Sequence, residues 1–69
     1  MSVNIYEMLA NGVKRRVAFG FRNFREAEYA ARQAYFPVSF DQDADYPDCA
    51  DFMACDGRLY AIEPEGFRP

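Results

Sequence analysis

The chain has no histidine, no tryptophan and no threonine, and its only serines are Ser2 and Ser39. Without imidazole the commonest general acid–base group is missing, and no Ser-His-Asp arrangement can be assembled. Glycines are few and scattered, so no phosphate-cradling loop exists. Cys49 and Cys55 are the two cysteines, and two thiols six apart with no imidazole do not make a tetrahedral zinc site. Read as one extended segment, they place their Cα atoms ~20 Å apart, well beyond disulfide reach. Free thiols fit a reducing compartment. The aspartates around them raise a thiol's pKa, which is unfavourable for a nucleophile. These absences predict a protein that is not an enzyme, with no catalytic residue, no metal and no cofactor. No apolar run approaches the ~20 residues of a membrane span. The first residues show neither a basic nor an apolar signal region, so no membrane association and a cytoplasmic location are expected.

Basic residues are also absent from one stretch, and that absence is the most informative. Asp41, Asp43, Asp45, Asp48, Asp51 and Asp56 follow one another with no lysine or arginine between them. Residues 1–36 carry six bases against three acids, whereas residues 37–69 carry two bases against eight acids. Concentrating negative charge on one segment raises the local potential and attracts cationic partners. The chain is nevertheless built to fold. Its 69 residues make one small domain, and a 17% aromatic content gives it the large buried areas that disordered chains lack.

Local signals divide residues 1–69 into a hairpin over 3–21, a helix over 23–36, an acidic loop over 41–48, a hairpin over 50–63 and a tail over 64–69. Asn11-Gly12 and Asp56-Gly57 are two-residue turn signals. In the first hairpin that loop length pairs Met8 with Arg15 and Tyr6 with Val17, puts Glu7 opposite Arg16, and selects Tyr6, Met8, Val13, Val17 and Phe19 as the buried face. In the second it groups Phe52, Ala54, Leu59 and Ala61 as core and leaves Met53, Tyr60 and Ile62 exposed. Asn23 and Glu26 form a capping-box pattern. Phe24, Ala27, Ala31, Ala34 and Tyr35 recur at helical spacing, and Pro37 ends the helix. Val38-Ser39-Phe40 suits a further short strand. The order ββαββ predicts an α+β fold, an antiparallel sheet of two hairpins with one helix packed on one face.

The acidic segment admits three readings. Asp41, Asp43 and Asp45 occupy the first, third and fifth positions of an EF-hand loop, but Tyr46 replaces the required glycine and Phe52 the final glutamate. As a solvated loop, the segment does no more than keep the protein soluble. As a binding surface, alternation along an extended segment would line Asp41, Asp43 and Asp45 on one side at roughly 6–7 Å spacing. That is an interval suited to a groove that holds DNA phosphates. Asp41, Asp43, Asp45 and Asp48 are then the first contacts, Asp51 and Asp56 the secondary ones, with Tyr46 and Tyr60 as aromatic anchors. Direct nucleic-acid binding through Lys14, Arg15 and Arg16 is disfavoured, because alternation sends Arg15 to the other face and the net charge is −3. A homodimer through the Met53, Tyr60 and Ile62 face is the competing expectation, with the monomer preferred.

A small acidic, histidine-free chain of hairpin, capped helix and hairpin resembles the anti-CRISPR proteins of phages and mobile elements. In particular it resembles small inhibitors of type I systems such as type I-C. The resemblance is carried by residues 23–35 (NFREAEYAARQAY), 41–51 (DQDADYPDCAD) and 56–63 (DGRLYAIE). It implies a stoichiometric inhibitor in a bacterial host that binds a basic Cas effector subunit and blocks DNA or PAM recognition through a DNA-mimicking surface.

Overall fold

A computed structural model describes residues 2–68. The two hairpins are built by the same loop used twice. In the first, β1 (Val3–Met8) joins β2 (Lys14–Phe21). Leu9 N–H donates to Val13 O at 2.8 Å, and Gly12 N–H donates to Leu9 O at 3.1 Å. In the second, β4 (Ala50–Met53) joins β5 (Leu59–Pro64). Here Ala54 N–H donates to Arg58 O at 2.8 Å and Gly57 N–H to Ala54 O at 2.9 Å. Each loop therefore has three residues, with a glycine at positive φ closing it (82° at Gly12, 88° at Gly57). The Asx side chain before each glycine accepts from the residue after it, Asn11 from Val13 N–H and Asp56 from Arg58 N–H.

The extra loop residue corrects the expected register. Met8 pairs with Lys14, Glu7 with Arg15 and Tyr6 with Arg16, while Met53 pairs with Leu59 and Phe52 with Tyr60. A slip of one residue exchanges the faces of a strand. Tyr60 and Ile62, expected on the exposed face, lie in the core at 5% and 0% exposure, and Leu59 takes their place in solvent. In the first hairpin Val3 and Ile5 are buried instead of the Tyr6–Met8 face, and Phe19 is 66% exposed. Glu7 shares that buried side. Its carboxylate is tolerated there because Arg15 donates to it at 2.6 Å and Arg58 lies 3.7 Å away, so it ties the two hairpins together.

Residues 39–42, expected to lie partly in a loop, form β3 (Ser39–Gln42), so the element order is ββαβββ. All five strands make one antiparallel sheet in the order β2-β1-β5-β4-β3. The fold is α+β. The strand β5, which runs on to Pro64 within the expected tail, pairs with β4 of its own hairpin and with β1 of the first, and so welds the two hairpins into one sheet. Of that tail, Pro69 lies outside the described residues.

Helix α1 (Phe24–Tyr35) starts where Asn23 Oδ1 accepts from Glu26 N–H at 2.9 Å, and Glu26 accepts in return from Arg22 N–H. Glu28 and Arg32 pair at 3.0 Å across one turn. Phe24, Ala27 and Ala31 are the buried stripe, whereas Ala34 is exposed. Small residues in that stripe let the helix lie close on β1, β2 and β5. Pro37 disfavours the right-handed helical region at Phe36, which takes a left-handed conformation (φ 49°) and ends the helix. Beyond the helix, Phe52 stacks between Phe40 and Tyr60, with ring centroids at 5.8 and 5.1 Å. Arg32 lies over the Phe40 ring at 4.3 Å.

The loop geometry can be tested without disturbing a contact. A Cβ at Gly57 would meet nothing within 4 Å, so Gly57→Ala feels only its backbone conformation. Chemical denaturation should show a loss of about 1 kcal/mol. An unchanged midpoint would mean that the loop does not require the left-handed glycine.

Candidate functional site

Because α1 covers one face of the sheet, the opposite face carries no helix, and the register arranges side chains on it in rows, some of them exposed and some, such as Ala61 and Cys49, buried. Arg16, Tyr6, Ala61, Asp51 and Asp41 form one row across all five strands. Asp41 and Asp51 are direct cross-strand neighbours, an arrangement that repulsion disfavours. The ladder continues for one more step, where Asp43 N–H donates to Cys49 O at 2.9 Å. Asp41, Asp43, Asp51 and Cys49 rim a depression of about 410 Å³ that also includes Glu63, Lys14, Met8 and Tyr46.

Beyond Asp43 the chain turns. Asp43 Oδ1 accepts from Asp45 N–H at 2.8 Å and Tyr46 N–H at 3.2 Å, and Gln42 Nε2 donates to Pro47 O at 2.6 Å. Only Asp41 and Asp43 therefore share an extended line. The expected row of three carboxylates is replaced by a cluster that includes Asp51 from the neighbouring strand, with Asp45 beside it on the loop. Asp48 faces the other way, in a hollow with Asn23, Phe24 and Arg25 at the start of α1, where the helix N-terminus favours negative charge. Asp56 sits at the opposite end of the sheet, in the β4–β5 loop, 3.6 Å from Arg58. Tyr60 belongs to the core. Tyr46 is partly exposed and meets Phe67 edge-on at 5.1 Å. The structure thus brings together Asp41, Asp43, Asp51 and Tyr46, holds Asp45 on the adjoining loop through its backbone, and separates Asp48, Asp56 and Tyr60 from them.

Two members escaped sequence reasoning, Glu63 and Lys14. Lys14 starts on edge strand β2, spans β1 and donates to Glu63 on β5. Reading x-Asn-Gly and x-Asp-Gly as three-residue loops would have placed Glu63 beside the aspartates. Among the described residues, none of Asp41, Asp43, Asp45, Asp48 and Asp51 forms an ion pair, and every ion pair engages a glutamate or Asp56.

Burial and crowding shift two of these groups. Desolvation pushes the Asp51 carboxyl above its ordinary pKa. Lys14 opposes the shift, while Glu63, Asp43 and Asp41 add to it. The Cys49 thiol is pushed up first by burial, then by Glu63, Asp43 and Asp48, so it stays protonated at neutral pH and is a poor nucleophile. Cys49 and Cys55 are both free. Among the described residues no three carboxylate or thiolate groups are placed to hold a metal ion. No helix among them is long and apolar enough to cross a membrane. What the cluster offers chemically is hydrogen-bond acceptors and negative charge, the complement of ammonium and guanidinium groups.

The raised Asp51 pKa has a definite sign. The folded carboxyl holds its proton at a pH where the unfolded one has lost it. Its contribution therefore favours folding as pH falls through the raised value, and costs stability above it. Asp51→Asn should then gain about 0.5 kcal/mol at neutral pH. The gain should shrink as the buffer is acidified through the carboxylate range. Urea melts at two pH values test this, and a loss at neutral pH would contradict it.

Compared with family models, curated proteins and solved structures, the chain has no significant match.

Proposed function

We propose that this chain is a stoichiometric inhibitor that binds a basic nucleic-acid-handling protein through its acidic sheet edge. One observation carries the reading. Five aspartates of an eleven-residue stretch, all but Asp48 on the same side, are held on a folded scaffold, and among the described residues none of the protein's seven arginines pairs with them. A fold that merely needed solubility could disperse such charge. Keeping Asp41 against Asp51 costs stability, which is the pattern expected of a surface kept for binding. Within this reading the resemblance to anti-CRISPR proteins points to a Cas subunit of a type I interference complex, with the aspartates competing for lysines and arginines that otherwise hold target DNA. The action is binding, with no catalysis.

The test is competition. Purified type I complex should release a labelled PAM-bearing duplex at equimolar chain, and steeply less so as salt rises. Retention of the duplex would refute the Cas assignment. The wider reading is tested by affinity capture from bacterial lysate followed by elution with duplex DNA. Captured proteins that DNA cannot displace would count against it. The dimer alternative loses its stated face, because Tyr60 and Ile62 are buried.

A further inference from the structure

We infer that the open face of the sheet is a docking trough for one helix of the partner, a helix with an apolar turn next to basic turns. The inference rests on the cationic-partner reading above and specifies the element that the partner inserts. The acidic depression is continuous with a second one of about 290 Å³, which shares Met8, Asp41 and Asp51 with it and adds Met53, Leu59 and Ser39. Together they run along β4 and β5. At one end Leu59 and Met53 are cross-strand partners, 50% and 36% exposed. The next row holds Asp51 and Asp41, and beyond it lie Glu63 and Asp43.

An antiparallel sheet that leaves one face to water normally makes that face polar. This one is apolar at one end and anionic at the other, so solvent alone is a poor match for it. Successive rows on one face of a strand are ~6.6 Å apart, close to the ~5.4 Å between turns of an α-helix. A helix lying along β4 and β5 would therefore set an apolar turn on Leu59 and Met53 and basic turns on the two acidic rows. Lys14 shows the contact within the molecule, its ammonium on Glu63 and its stem spanning β1. That is how long basic side chains cover apolar surface while keeping the charge at its partner.

The experiment uses the intact chain and a fluorescent alanine-based helical peptide, with a leucine turn at its centre and arginines four and seven residues to either side. Its controls are a scrambled peptide of the same composition and oligo-arginine. The ordered peptide should bind at least tenfold more tightly than the scrambled one. Leu59→Ser and Met53→Ser, both at exposed positions, should erase that advantage and leave oligo-arginine binding unchanged. Asp41→Asn with Asp51→Asn should weaken both peptides. Equal binding of ordered and scrambled peptides, or no effect of Leu59→Ser, would overturn the trough while the acidic-surface reading stands. If neither peptide nor oligo-arginine binds, both fall. A concentration-dependent mass that Leu59→Ser abolishes would make a second copy the occupant and overturn the proposal as well.

Discussion

Reversing Asp41 and Asp45 to lysine should weaken the complex with the proposed cationic partner on the order of a hundredfold, about 1.4 kcal/mol for each reversed charge. Both carboxylates are exposed and neither is ion-paired within the described chain, so nothing internal is lost. At Asp41 the change even turns a like-charge pair with Asp51 into an attractive one. Thermal stability should therefore hold or rise while binding collapses. That divergence separates a binding role from a structural one. Asp43 is the wrong residue for this test, because its Oδ1 shapes the loop through Asp45 and Tyr46 N–H. Calorimetry at two salt concentrations is the measurement, and the salt dependence of the variant should be flatter than that of the wild type. If the reversed chain binds as tightly as the wild type, the aspartates are only solubilising charge.

The second large effect concerns the scaffold. Phe52→Ala should destabilise the fold by about 3–5 kcal/mol. Phe52 is 2% exposed, stacked against Phe40 and Tyr60 and tilted against Tyr35 at 5.8 Å. Its removal leaves three rings without their common neighbour. A domain of this length holds on the order of 3–10 kcal/mol in total, so the variant should be partly unfolded at room temperature by circular dichroism. Because Phe52 lies between Asp51 and Met53 on β4, binding should fail together with the fold. A variant that melts within a few degrees of the wild type would show that the aromatic stack is not the centre of the core.

Core and surface were unequally readable from the sequence. Asn23, Glu26 and Pro37 mark the helix by interactions within a few residues of one another, and α1 begins and ends where they say. Asn11-Gly12 and Asp56-Gly57 mark two reversals correctly, yet the same dipeptides fit two-residue and three-residue loops. That one residue decided which side of β5 faces the helix. It moved Tyr60 and Ile62 into the core, and with them went the dimer face and one expected aromatic anchor. Glu7 was a further obstacle. A carboxylate on a strand argues for an exposed face until Arg15 and Arg58 are seen to hold it.

The concentration of acid between Asp41 and Asp56, the absence of histidine, the helix and the α+β class all follow from the residues themselves, because composition and short-range hydrogen bonding set them. Which aspartates stand together is a different matter. Asp51 joins Asp41 and Asp43 through the β3–β4 register, Glu63 joins them through the β4–β5 register, Lys14 reaches Glu63 because β5 lies beside β1, and Asp48 and Asp56 are carried elsewhere by the chain's turns. Those outcomes depend on the registers and the order of the strands, which the turn dipeptides alone leave open, and they appear only once the sheet has closed around its core.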